Sequence, residues 1–202
     1  MKTALVYAAA FFAAAEFARA EPLGEDLCGF TIEGLTLEST RDDVASVFVK
    51  RGWNDVSTPG SRMANGVAVE RIMFDRTRKS DEPEEIKADK DGPVGRFQII
   101  REEGGQRSIK LTDYAPTPPA ERARALCSSA SGRFAVTGCD QRLLSRDAFG
   151  VIIRPLNVAP GATYCSVAFD GAKTAYGDTY AVGVVKSVQR GRGQPGRKRG
   201  RE

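Results

Sequence analysis

The sequence predicts an α+β protein in which short helices pack on antiparallel β-meanders, the C-terminal half is β-rich and disulfides stabilise the whole. Three observations carry that expectation. Asn65-Gly66 and Gly104-Gly105 each separate two strand-like segments, and a tight hairpin turn needs the positive φ that these residues supply. Thr40, with Asp43 three residues on, heads an apolar stripe at helical spacing that stops at Gly52. Four cysteines, an even number, follow a leader of the kind that directs export.

The leader comes first. Lys2 gives a positive start, residues 4–15 are apolar, and Ala18 and Ala20 put small side chains where a signal peptidase reads. That run is about twelve residues, against the roughly twenty that span a bilayer, and Glu16 and Arg19 close it. Residues 1–20 are therefore expected to be a signal peptide and Glu21 the first mature residue, in the periplasm or outside the cell. No cysteine follows the cleavage site to take a lipid, and no second long apolar run suggests a transmembrane segment after cleavage.

Beyond the leader, residues 30–37 alternate apolar and polar side chains as a half-buried strand does. A helix over 41–51 follows, capped by Thr40, with Asp42 and Asp43 at the positive end of its dipole and Val44, Val47, Phe48 and the stem of Arg51 on one face. Trp53, just past Gly52, is expected to close that module as a packed lid. The two hairpins then give three or four antiparallel strands, with the charged segment 77–92 as a loop between them. Residues 115–119, APTPP, read as a hinge. Thr117 suits a second N-cap with Pro118 at the first helical position, and 120–130 carries the small face Ala123, Cys127 and Ala130. Strand-like stretches recur at 133–137, 149–158, 163–169 and 180–188. The organisation expected is an N-terminal module over 21–115, a C-terminal module over 116–188 and a disordered basic tail over 189–202. Each module is a helix followed by strands, but the helices share almost no residues in register, which speaks against duplication.

The cysteines Cys28, Cys127, Cys139 and Cys165 allow three connectivities. Cys139 with Cys165, in neighbouring strand-like segments, and Cys28 with Cys127 is the preferred pair, each bridge contributing roughly 3–4 kcal/mol by the chain-entropy model. Zinc is not expected, because no CxxC pair occurs and the chain contains 0 histidines. No metal or cofactor follows from the composition.

Ile32-Glu33-Gly34-Leu35-Thr36-Leu37, then Thr40-Arg41-Asp42-Asp43-Val44, then Lys50-Arg51-Gly52-Trp53 resemble the opening of the beta-lactamase inhibitory protein-like modules and the related small outer-membrane assembly lipoproteins. The likeness covers residues 32–53. It implies a short capped helix on an antiparallel sheet, and a domain that binds other proteins rather than one that catalyses.

The residues themselves supply little catalytic chemistry. Without histidine the commonest general base is missing, and no GxSxG or SxxK element appears. Ser128 and Ser129 suit a helix end. Asp89-Lys90-Asp91-Gly92 has the look of a calcium loop, but Lys87 and Gln98 stand where acidic ligands belong. Asp81, Glu82, Glu84 and Glu85 read as a solvated charge run able to meet a basic partner. Asp140, Asp147 and Asp170 are the carboxylates a small envelope hydrolase would use, without a spacing that demands a shared site.

Binding candidates lie elsewhere. Residues 171–178 are turn-rich, with Tyr176 near the tip and Tyr180 close by, which suits a recognition loop. The tail sets Arg190, Arg192, Arg197, Lys198, Arg199 and Arg201 against Glu202 alone, in a chain with 30 basic and 26 acidic residues. Such a segment tracks polyanions without reading sequence. In the cytosol RNA would fit; after export nucleic acid is not expected, and the available surfaces are anionic lipid, lipopolysaccharide and acidic polymers. The function the sequence supports is an exported envelope protein that works by binding, above all to a protein partner, with polyanion binding through the tail and carboxylate-dependent hydrolysis as the alternatives.

Overall fold

A computed structural model describes residues 23–62, 66–77, 93–115, 118–174 and 177–189. Three helices occur among them: α1 (Arg41–Phe48), α2 (Pro119–Ala130) and α3 (Gln141–Leu144). The strands are β1 (Asn54–Asp55), β2 (Thr58–Arg62), β3 (Ala68–Arg76), β4 (Gly95–Glu102), β5 (Arg107–Tyr114), β6 (Phe134–Thr137), β7 (Ala148–Pro155), β8 (Thr163–Thr174) and β9 (Gly177–Val188). All are antiparallel to their neighbours in one sheet ordered β1-β3-β4-β5-β9-β8-β7-β6, with β2 also on β3. The α+β class with a β-rich C-terminal half is thus observed.

Strand β5 pairs with β9 from Arg107 opposite Lys186 to Tyr114 opposite Thr179, so strands from the segments before and after residues 116–117 share one ladder.

Period-two alternation decides which face of that sheet is buried. In one register row Phe74, Phe97, Leu111, Val182, Phe169 and Val151 lie side by side across six strands, and in the next Ile72, Ile99, Ile109, Val184, Val167 and Ile153. All twelve belong to the buried core. The helices and the N-terminal segment contribute Leu27, Phe30, Val44, Phe48, Ala123, Leu126, Ala130 and Leu144 to the same core.

Helix α1 forms as its sequence dictates. Thr40 Oγ1 accepts from the Asp43 backbone N–H at 3.2 Å and an Asp43 carboxylate oxygen accepts from the Thr40 N–H at 2.8 Å, which closes a capping box. The helix is shorter than expected: its last turn, Val49–Arg51, tightens to a 3-10 helix before Gly52 at φ 80°. Val44 and Phe48 are buried while Val47 is half-buried against the core. Phe48 meets Trp53 at 4.7 Å and Phe97 at 4.6 Å between ring centroids, so Trp53 is the lid its position suggested. Helix α2 starts at Pro119 with Pro118 as its cap residue; the expected cap Thr117 lies outside the described residues.

Two expectations are corrected. Residues 30–37 are not a strand. Ile32 and Leu35 exchange backbone hydrogen bonds at 2.8 and 3.0 Å around Glu33 and Gly34, whose φ values are 57° and 76°. A two-residue turn with both central φ positive folds the segment back on itself, and Phe30, Ile32, Leu35 and Leu37 are all buried on the inner face. Arg101 fixes this segment to β4 by donating to the Leu37 and Ser39 carbonyls at 3.0 and 2.6 Å.

The second correction is the disulfide pairing. Cys28 joins Cys165 and Cys127 joins Cys139, with Cα separations of 5.1 and 5.8 Å. The preferred pairing of Cys139 with Cys165 fails because β7 intervenes between β6, which Cys139 follows, and β8, which carries Cys165. Cys165 instead faces the core, where the 3-10 turn Leu27–Gly29 lies on β8. Both disulfides are intramolecular and no described cysteine is free. No described helix is long and apolar enough to cross a membrane.

Candidate functional site

The buried side chains of α1, α2, α3 and the N-terminal segment join the core formed by one face of the sheet, and no described helix contributes such packing to the other face. Its central row runs Met73, Gln98, Lys110, Gly183, Ala168 and Ile152 across β3 to β7, and the flanking row Arg71, Ile100, Ser108, Val185 and Ser166. The centre of this outer face is built of small residues. A Cβ at Gly183 would lie 3.1 Å from the Ile109 carbonyl oxygen, so the close approach of β9 to β5 itself favours glycine there. Ala168 and Ser166 continue the low belt, and Ile152 rises beyond it with 44% of its surface exposed.

The charges on this face are arranged in two ways. Arg96 and Asp75, opposite each other in register, form a bidentate pair with Nε–Oδ1 at 2.8 Å and the second guanidinium nitrogen on Oδ2 at 2.9 Å, and this hydrogen bonding raises the arginine's pKa. Lys110 and Asp170, by contrast, stand on the face in no ion pair within 4.0 Å among the described residues. A belt of small residues with an exposed aliphatic edge and charges of both signs, in no ion pair among the described residues, can engage a complementary surface.

Tyr180, expected on a recognition surface, lies inside. It shares the parity of Val182 and Val184, is 7% exposed and stacks on Phe169 at 6.2 Å, with the Arg122 guanidinium carbon 4.6 Å above its ring. Burial pushes its phenol pKa up, against the lowering effect of Arg122, and the charges of Asp113 and Glu33 add to the rise. The expected recognition loop is the β8–β9 hairpin, in which Thr174 pairs with Gly177. Tyr176 and the basic residues Arg190, Arg192, Arg197, Lys198, Arg199 and Arg201 lie outside the described residues, as do Asp81, Glu82, Glu84, Glu85, Lys87 and Asp89 to Gly92. Cys28, Cys127, Cys139 and Cys165 are all disulfide-bonded.

The three carboxylates proposed for hydrolysis serve different places. Asp140 caps α3, accepting from the Arg142 N–H at 2.7 Å. Asp170 stands on the outer face beside Gly150, and Asp147 is an exposed residue whose carbonyl accepts from the Lys173 N–H at 2.6 Å.

One polar constellation was not visible in the sequence. Arg76, 8% exposed, donates from Nε and Nη2 to Asp113 Oδ1 at 3.1 and 2.7 Å, at the end of the inner face next to Tyr180. A Cβ on Gly95 would come within 2.9 Å of that same oxygen and 3.1 Å of Trp53, so a larger residue there must displace the carboxylate or the indole. The residues are 37 apart, and only the register of β3, β4 and β5 brings them together. No group of three or more potential metal ligands occurs among the described residues.

No family model, no curated protein and no solved structure matches this chain.

Proposed function

We propose that the chain is an exported binding protein whose partner is another protein, held across the outer face of the sheet. The observation that carries this reading is that face itself: a broad sheet surface without a described helix on it, low at Gly183 and Ala168, bounded by the exposed Ile152, and carrying Lys110 and Asp170 in no ion pair among the described residues. Interfaces join an apolar centre to a polar rim, and charges of both signs set register and partner choice. Export is supported by two disulfides behind a leader-like N-terminus. The likeness of residues 32–53 to envelope modules that bind proteins points the same way.

Capture from envelope extract with immobilised protein tests it, run in parallel with the double variant Ile152→Glu, Lys110→Glu. Both residues are exposed, so the substitutions remove no core packing and the variant is expected to keep the fold. The expected result is a discrete partner retained by the natural sequence and lost by the variant. Equal retention by both would place the binding elsewhere.

A further inference from the structure

Strand β6 ends the strand order of the sheet and pairs on one side only, with β7. In an antiparallel ladder successive residues turn their backbone groups alternately to the two sides, so one bond fixes the phase. The Lys173 N–H donates to the Asp147 carbonyl at 2.6 Å, one step before Ala148 opposite Ala172, and Asp147 therefore faces β8. Counting on, Ile152 and Arg154 face β6, and their partners Thr137 and Ala135 turn their N–H and C=O to β7. The N–H and C=O of Phe134 and Val136 then point away from the sheet, and no hydrogen bond reaches them. The opposite border is built against pairing: β2 carries Pro59, Gly60 at φ 70° and a register shift between Thr58 and Ser61 on β3. β6, with the sequence FAVT, has no proline, no charge and no register shift.

We propose that β6 pairs antiparallel with β6 of a second copy of this chain, about a two-fold axis at Ala135, so that one sheet continues into the other. Phe134 exchanges both backbone hydrogen bonds with Val136 of the partner subunit, and Val136 with Phe134 of the partner subunit. The register follows from the backbone. A slip of two residues either way sets Gly132, at φ 74°, or Gly138, at φ 86°, opposite an open group, and neither is extended. The side chains agree with it. On the inner face Phe134, already in the core, meets Val136 of the partner subunit, an aromatic and β-branched pair that covers a half-buried valine. On the outer face Ala135 meets Ala135 of the partner subunit, small enough for the close approach of a pair without hydrogen bonds. Arg133 falls opposite Thr137 of the partner subunit, so no like charges oppose. An uncharged edge has little with which to select a foreign sequence, whereas its own complements it under two-fold symmetry. Its 4 residues make the contact small and the dimer weak, with a Kd in the range of about 10 µM to 1 mM. The edge is separate from the central rows of the outer face proposed to hold a protein, so either proposal can fail alone.

Sedimentation velocity on the chain from Glu21 onward, which keeps every described residue, tests this over about 10 µM to 1 mM. The natural sequence is expected to pass from monomer to dimer as concentration rises. Val136→Pro removes an outward N–H from each copy and no bond to β7, and should weaken the dimer by at least about tenfold. Ala135→Lys sets two ammonium groups side by side at the axis, on the outer face where it removes no core packing, and should weaken it similarly. Mixing the Ala135→Lys and Ala135→Glu chains should restore association, because opposite charges then meet at the axis. Should the proline variant melt lower, the Ala135 variants carry the comparison. A natural sequence still monomeric at the highest concentration would overturn the proposal. So would a dimer undiminished by Val136→Pro or Ala135→Lys, or a mixture that associates no better than the lysine variant alone.

Discussion

Tyr180 feels burial, a nearby guanidinium and two carboxylates at once, and burial dominates. Its phenol is held above the ordinary value of 10.0. In the alkaline range the folded protein therefore keeps a proton that the unfolded chain has lost. The stability this contributes is fully present below about pH 10 and is lost as pH rises through the folded-state value. Tyr180→Phe should flatten the alkaline limb of a plot of denaturation midpoint against pH, and an unchanged limb would assign that limb to other groups. Phe48 makes a simpler case at the same scale. It is 1% exposed and wedged among Trp53, Phe74 and Phe97. Phe48→Ala should cost about 3–5 kcal/mol in denaturant unfolding, and a loss below about 1 kcal/mol would contradict the packing described.

At the scale of elements, the capping box shows how local chemistry sets a boundary. The Asp43 carboxyl is held below its ordinary value by the Thr40 backbone N–H and then by the Thr40 hydroxyl. That contribution is present above the unfolded pKa and is lost as pH falls through the folded one. Thr40→Ala removes one arm of the box and should destabilise by about 1 kcal/mol, with the largest loss of amide protection in α1. The β3–β4–β5 end of the sheet depends on space as well. Gly95→Ala places a methyl against Asp113 and Trp53; overpacking of this kind costs about 1–3 kcal/mol. The variant should shift the Trp53 fluorescence, since that ring borders the clash.

For the whole molecule, the two disulfides close loops of very different length. Cys28–Cys165 spans 137 residues and Cys127–Cys139 spans 12. By the chain-entropy model the first contributes about 5 kcal/mol and the second about 3. Cys28→Ala with Cys165→Ala should therefore lower the denaturation midpoint more than Cys127→Ala with Cys139→Ala; the reverse order would show that native contacts, not loop closure, decide. The long bridge also pins the N-terminal segment to β8, which Arg133 supports by donating to the Leu23 and Gly24 carbonyls at 3.1 Å each. The shorter bridge only ties α2 to the loop after β6.

What the sequence determined by itself is local. Thr40 with Asp43, Gly52 after the stripe, the glycine turns and the alternation of apolar residues are contacts between near neighbours, and the chain's own periodicity encodes them. The buried set at 30–37 was not legible as one strand face, because Phe30 and Ile32 have the opposite parity to Leu35 and Leu37, and only the two-residue turn at Glu33-Gly34 brings all four inward. The candidate binding face was not legible. Every strand offers two faces, and only the placement of α1, α2 and the N-terminal segment on one of them left the other without a described helix. The pairing of Cys28 with Cys165, the meeting of Arg76 with Asp113 and the burial of Tyr180 belong to the same class. Each depends on the strand order β5-β9-β8-β7-β6, which joins residues far apart in the chain, and sheet order is fixed by the collective burial of the core rather than by any local signal.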